Sequence, residues 1–283
     1  YYSEPFGTSI FATERSKQLF EYKGRILMNY SPDKLAFDNG SGLFTDFTGT
    51  YISPSSIHRM KSLETKGNLY FTTSEGVKKI SATNATDIAP SSIMDTGVPA
   101  ATGGRVQALY GSGFVPPSKK CAYKTTWAYK DANNLLIEGE PSNAIVFVNE
   151  STIYATPRLV INIPQGVTTS YIFRVYRSEL KNTTETLSEE YNLVFEGNPT
   201  SLEITSKEAQ YDDQIPEEFR LGGIPLYTNQ ISGQGVQSTN NRPPLAVDLG
   251  LFNNHVFYAN TKERHYSTTT MISVENIISG ISK

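Results

Sequence analysis

Ala122–Asp131 reads AYKTTWAYKD, and every second residue, Tyr123, Thr125, Trp127 and Tyr129, falls on one face of an extended chain. A period of two with aromatic and β-branched residues is the mark of a half-buried strand. Working outward, Asn133-Asn134 turns this strand into LLIEGEPS, and AIVFV follows. RLVINIP, a turn at Gln165-Gly166, YIFRVYRSE, YNLVFEG, SLEIT and the acidic turn YDDQ complete the stretch. That is about seven strands in about ninety residues, the density of a fibronectin-type or immunoglobulin-like sandwich. The competing reading is a meander within one larger sheet.

The flanks are also β-rich. Between Tyr22 and Ile80, Lys23-Gly24 leads into RILMNY, SPDKL turns into AFD, and Lys66-Gly67-Asn68 leads into LYFTT. Ser74-Glu75-Gly76 then turns back into VKKI, with Glu75-Gly76 expected to supply positive φ. Hairpins of this kind read as propeller blades. After residue 215 a loop rich in Pro, Gly, Asn and Gln ends in a further hairpin, LGLF-NN-HVFYAN, turned at Asn253-Asn254. The chain is therefore expected to be all-β. A partial propeller-like body, residues 1–120 and 215–283, carries an inserted sandwich at 121–214. Helix is expected only at Glu14 to Phe20 and Ser273 to Ile281.

Composition agrees. Of 283 residues 38% are hydrophobic and 11% aromatic, with 17 Tyr against one Trp. Tyrosine at this level favours broad, rigid contact surfaces. The 25 basic and 28 acidic residues are interspersed and give a net charge of −3, so no basic face is expected to hold nucleic acid. No run of about 18 apolar residues predicts a membrane span. The chain opens on Tyr1-Tyr2 and reads as a portion of a longer protein.

A search for chemistry finds little. Cys121 stands alone, which excludes an intramolecular disulfide and a thiolate cluster, and it reads as a small buried hydrophobe. His58, His255 and His265 have no metal-ligand spacing. Gly103-Gly104 and Gly111-Ser112-Gly113 read as loop glycines, because no helix follows to cradle phosphate. Paired carboxylates, Glu138 with Glu140, Asp212 with Asp213 and Glu217 with Glu218, are the candidates for glycoside hydrolysis. Neighbours on a strand diverge, and Glu138 and Glu140 would sit about 7 Å apart on one face. Asp212-Asp213 is also a candidate Ca²⁺ turn. Sequons at Asn29, Asn39, Asn84, Asn149 and Asn182 carry little weight without a secretory signal.

The run from Gly223 to His265 contains LYTN, a Gln/Gly-rich loop, NRPPLAVD and LF followed by FYANT. In that order it resembles a segment of the tail nozzle (tail tubular) proteins of short-tailed bacteriophages. TTWAYKDANNLLIEGEPS with YIFRVYRS resembles the domain preceding that segment. GRILMNYSP and GNLYFTTSEGVKKI resemble blades of the same proteins, so the similarity covers about Tyr22 to His265. The resemblance implies a non-enzymatic subunit in the virion tail, made in the host cytoplasm and lacking catalytic residues or cofactors. It implies a ring, six-fold in expectation, that touches tail adaptor and fibre proteins and passes DNA transiently. Nozzle proteins are usually much longer than this chain. The residues expected to make inter-subunit or channel contacts are Gln230, Gln234, Gln237, Asn240, Asn241 and Arg242. Deleting that loop is expected to abolish assembly without unfolding the sandwich. The alternatives are an extracellular adhesin or carbohydrate-binding module and, third, a propeller glycosidase.

Overall fold

The computed structural model describes residues 18–31, 34–48, 59–131, 134–226, 240–253 and 255–262. Among them are nineteen strands and two short helices, so the chain is nearly all β, in antiparallel sheets with no closed barrel.

Two four-stranded meanders come first. One is β1 (Gln18–Tyr22), β2 (Arg25–Ser31), β3 (Lys34–Asp38) and β4 (Phe44–Asp46). The other is β5 (Ser62–Thr65), β6 (Asn68–Thr73), β7 (Gly76–Ser81) and β8 (Ile93–Asp95). Lys23-Gly24 and Lys66-Gly67 close their first hairpins with φ positive at both residues, the geometry whose twist matches the flanking strands. At the next turn only Gly76 has positive φ; Glu75 does not. Leu27, Leu35 and Phe37 of the first sheet pack with Leu69, Phe71 and Ile80 of the second in one core. Tyr22, fully buried, fastens the two by donating to the Gly67 carbonyl at 2.7 Å and accepting from the Ala82 N–H at 3.0 Å.

The middle of the chain forms two more sheets. β10 (Lys119–Lys130) lies between β11 (Leu136–Glu138) with β12 (Ile145–Val148) on one side and β14 (Ile172–Ser178) with β15 (Lys181–Asn182) on the other. β16 (Tyr191–Gly197) pairs with β14. The second sheet has the order β17 (Glu208–Asp212), β13 (Ala155–Asn162), β9 (Gly104–Val115). Tyr123, Trp127, Phe173 and Val175 from the first sheet meet Leu159, Ile161 and Ala209 from the second in one core. Each of the larger apolar side chains among them, such as Phe173, Val175, Leu159 and Ile161, contributes about 1.5–3 kcal/mol by leaving water. The alternation that announced β10 describes only one of its faces. Ala122, on the other, is buried with Tyr176, Tyr191 and Leu226, because the segment after α2 (Glu217–Arg220) folds back and bonds β16 through Leu193 N to Ile224 O and Leu226 N to Tyr191 O.

Four expectations change. Gly104, Gly111 and Gly113 are not loop glycines: they lie in β9, where Cβ atoms on Gly104 and Gly113 would collide with the β13 backbone. The expected boundary at residue 121 falls inside β10, and β9, which precedes it, pairs with β13 in the second of the two middle sheets. SLEIT is not a strand but most of α1 (Ser201–Ser206). Thr200 caps the Glu203 N–H at 3.2 Å and Glu203 returns a bond to Thr200 N at 2.8 Å. Gln18 to Phe20 are strand, not helix. The other expected helix, Ser273 to Ile281, lies outside the described residues.

The last hairpin is β18 (Leu245–Phe252) with β19 (His255–Lys262). β18 returns to pack against β5, β6 and β7. No helix among the described residues is long and apolar enough to cross a membrane.

Candidate functional site

Of the residues expected to make contacts, Gln230, Gln234 and Gln237 lie outside the described residues. Asn240, Asn241 and Arg242 are described, and all three are engaged within the chain. The carbonyl of Asn240 accepts from Val98 N at 2.7 Å, and Val98 bridges Asn241 in parallel. Gly97, at φ +77°, permits this: a Cβ there would sit 2.5 Å from the Asn241 carbonyl oxygen. Asn240 Nδ2 donates to the Glu138 carbonyl at 2.8 Å, and Asn241 Nδ2 donates to Glu140 Oε2 at 2.8 Å. Three consecutive residues thus join the second meander's exit to the edge of the sandwich.

Arg242 completes the joint. Its guanidinium lies 2.7 Å from Asp95 at the end of β8, and Asp95 also holds Lys78 at 2.7 Å. Lys78 reaches Glu75 at 3.2 Å, so two cations face two carboxylates. The Arg242 side chain is 8% exposed and that of Asp95 12%, which makes this a desolvated pair. The β13–β14 turn leans directly on it, since a Cβ on Gly166 would come within 2.7 Å of both partners. A cleft of about 850 Å³ opens beside the pair, lined by Lys78, Asp95, Arg242 and the turn residues Thr168, Ser170 and Tyr171.

The carboxylate pairs proposed for catalysis do not converge. Glu138 accepts from Thr126 and from Tyr176 Oη at 2.7 Å, and pairs with Arg174 at 3.0 Å. Glu140 is held separately by Asn241. Asp212 and Asp213 diverge, as strand geometry dictates. Arg158 forks onto Asp212 at 2.6 and 2.7 Å, holding its carboxyl below the usual range. Asp213 turns inward and pairs with Arg177 at 2.6 Å, both side chains fully buried. Its oxygens also accept from Tyr123, Tyr211 and the Ile215 N–H, so both are occupied and the Ca²⁺ reading fails. Glu217 takes Arg177 and Arg220, while Glu218 is exposed.

Cys121 is fully buried in the sandwich core, and burial pushes its thiol up to about 12. His255 is exposed at the start of β19, with Nδ1 2.7 Å from the Asn253 carbonyl; His58 and His265 lie outside the described residues. No group of three or more His, Cys, Asp or Glu side chains that could hold a metal occurs among the described residues.

Sequence reading missed Asp95, which takes Lys78 and Arg242, and Lys79, which reaches Tyr129, pairings made between segments apart in the chain. Only one local signal was available: β7 puts both lysines of VKKI on a strand whose two faces are covered. A scan against protein-family models and a search of curated protein sequences return no match.

Proposed function

We propose that the chain is a structural subunit of a bacteriophage tail, of the nozzle type, which extends the DNA ejection channel. The observation that carries the reading is the return of β18 onto β5, β6 and β7 after the whole sandwich has been traversed. It supports a propeller-like body interrupted by an insertion, the organisation that the Gly24–Ile80 and Gly223–His265 resemblances imply. The Asn240–Arg242 joint supports it further, because a ring subunit under ejection load needs its modules held in one orientation.

In this reading the subunits form a six-fold ring between the adaptor and the fibres, and DNA slides through without specific binding. The subunit has no catalytic role. A net charge of −3 with interspersed signs suits a surface that must not grip phosphate. Mass photometry and negative-stain electron microscopy of the complete gene product test it. Closed rings of uniform size are expected; a monomer at every concentration would favour the adhesin or carbohydrate-binding alternative.

A further inference from the structure

A second cleft, of about 450 Å³, lies where the second meander, the sandwich and the last hairpin meet. Tyr70 from β6, Tyr129 from β10, Tyr258 from β19, and Pro243 and Pro244 ahead of β18 give it aromatic and ring-shaped walls. Lys79 of β7 completes the lining. Its side chain is almost wholly buried, with Nζ donating to Tyr129 Oη at 3.0 Å and standing 4.9 Å from the centroid of that ring.

The charges around this cleft are unbalanced. Among the described residues no carboxylate lines it, whereas Lys79 and Arg242 both do. Arg242 is neutralised by Asp95 from outside the cleft. Lys79 feels Asp131 at longer range, but burial outweighs that carboxylate and lowers the lysine pKa. A desolvated ammonium with a tyrosine hydroxyl as acceptor is short of negative charge. Thr96 Oγ1 adds a buried hydroxyl with no hydrogen-bond partner among the described residues.

We propose that this cleft binds a carboxylate-bearing sugar ring, such as a uronic acid residue of an acidic polysaccharide. The tyrosine and proline faces suit the C–H surface of a pyranose, Lys79 takes the carboxylate, and Thr96 with the Asn240–Asn241 edge meets the ring hydroxyls. A neutral sugar leaves the ammonium uncompensated. A run of phosphates needs a row of cations, and among the described residues the cleft offers one without a carboxylate partner. Because three separate parts of the chain supply the walls, the ligand also fastens them together. This inference does not depend on the tail reading and fails or survives separately.

Titration of the protein with trigalacturonate, followed by calorimetry and by shifts of the tyrosine ring resonances, tests it, with galactose and benzoate as controls. Saturable binding of trigalacturonate at millimolar or better Kd is expected, with galactose about tenfold weaker. Lys79→Met, close in volume to lysine, is expected to weaken trigalacturonate about tenfold and to leave galactose unchanged. Tyr258→Ala, a partly buried position on a largely exposed hairpin, should weaken both sugars and guards against a Lys79 variant that does not fold. No saturable trigalacturonate binding to the folded protein overturns the proposal. So does equal binding by folded Lys79→Met, or binding of benzoate without trigalacturonate.

Discussion

Arg242 and Arg177 each hold one aspartate, but in different surroundings. Asp95 keeps Lys78 when Arg242 is removed, so Arg242→Gln leaves the carboxylate paired and costs about 2 kcal/mol. Urea unfolding of that variant, of Asp95→Asn and of the double variant checks this, and the two single effects should overlap instead of adding. Asp213 offers no such relief. Arg177 is fully buried, stacked 4.0 Å from the Phe114 ring, and its remaining acceptors are two carbonyls and Glu217 at 3.4 Å. Asp213→Ala should therefore cost about 3–5 kcal/mol, read as a large fall in the urea midpoint at unchanged slope. The sequence presented Asp212-Asp213 as one acidic turn. Two arginines from different strands give the two carboxylates separate roles, and no spacing rule carries that information.

At the scale of elements, legibility depended on whether a segment's partners were close in sequence. The hairpins turned before Gly76 and at Asn253 were readable because turn chemistry is local, whereas the first arm of the Lys23-Gly24 hairpin read as helix. β10 was readable on the face that meets the core and silent on the face covered by Leu226, about a hundred residues later. β9 was missed because glycine normally weakens a strand, whereas here its absent side chain allows β13 to come close. α1 was misread because Leu, Ile and Thr in SLEIT suit a strand. The Thr200–Glu203 capping box was in the sequence and decided otherwise. Thr200→Ala should thus cost about 1 kcal/mol, measured as a lower Tm, and Thr200→Ser should be almost silent.

Over the whole molecule, tyrosine gives the fold a defined alkaline limit. Burial raises Tyr123, Tyr129, Tyr171, Tyr176 and Tyr211 above their ordinary value of 10.0. The folded chain therefore keeps protons that the unfolded chain gives up. The stability linked to these groups is complete below pH 10 and declines as pH rises through the folded values. Thermal melts should hold steady for these groups up to about pH 10 and fall steeply beyond it, with tyrosinate absorbance at the same transition. A melt flat to higher pH would mean that the phenols ionise freely in the folded state.

The same scale holds the central claim, that two meanders, a sandwich and a returning hairpin make a tail subunit. Peptide mass spectrometry of purified virus particles from cultures carrying this gene tests it most directly. The account predicts peptides such as GNLYFTTSEGVK, residues 67–78, at a few copies per particle alongside the portal. Their absence from particles, with the protein found on cells or in the medium, would contradict it.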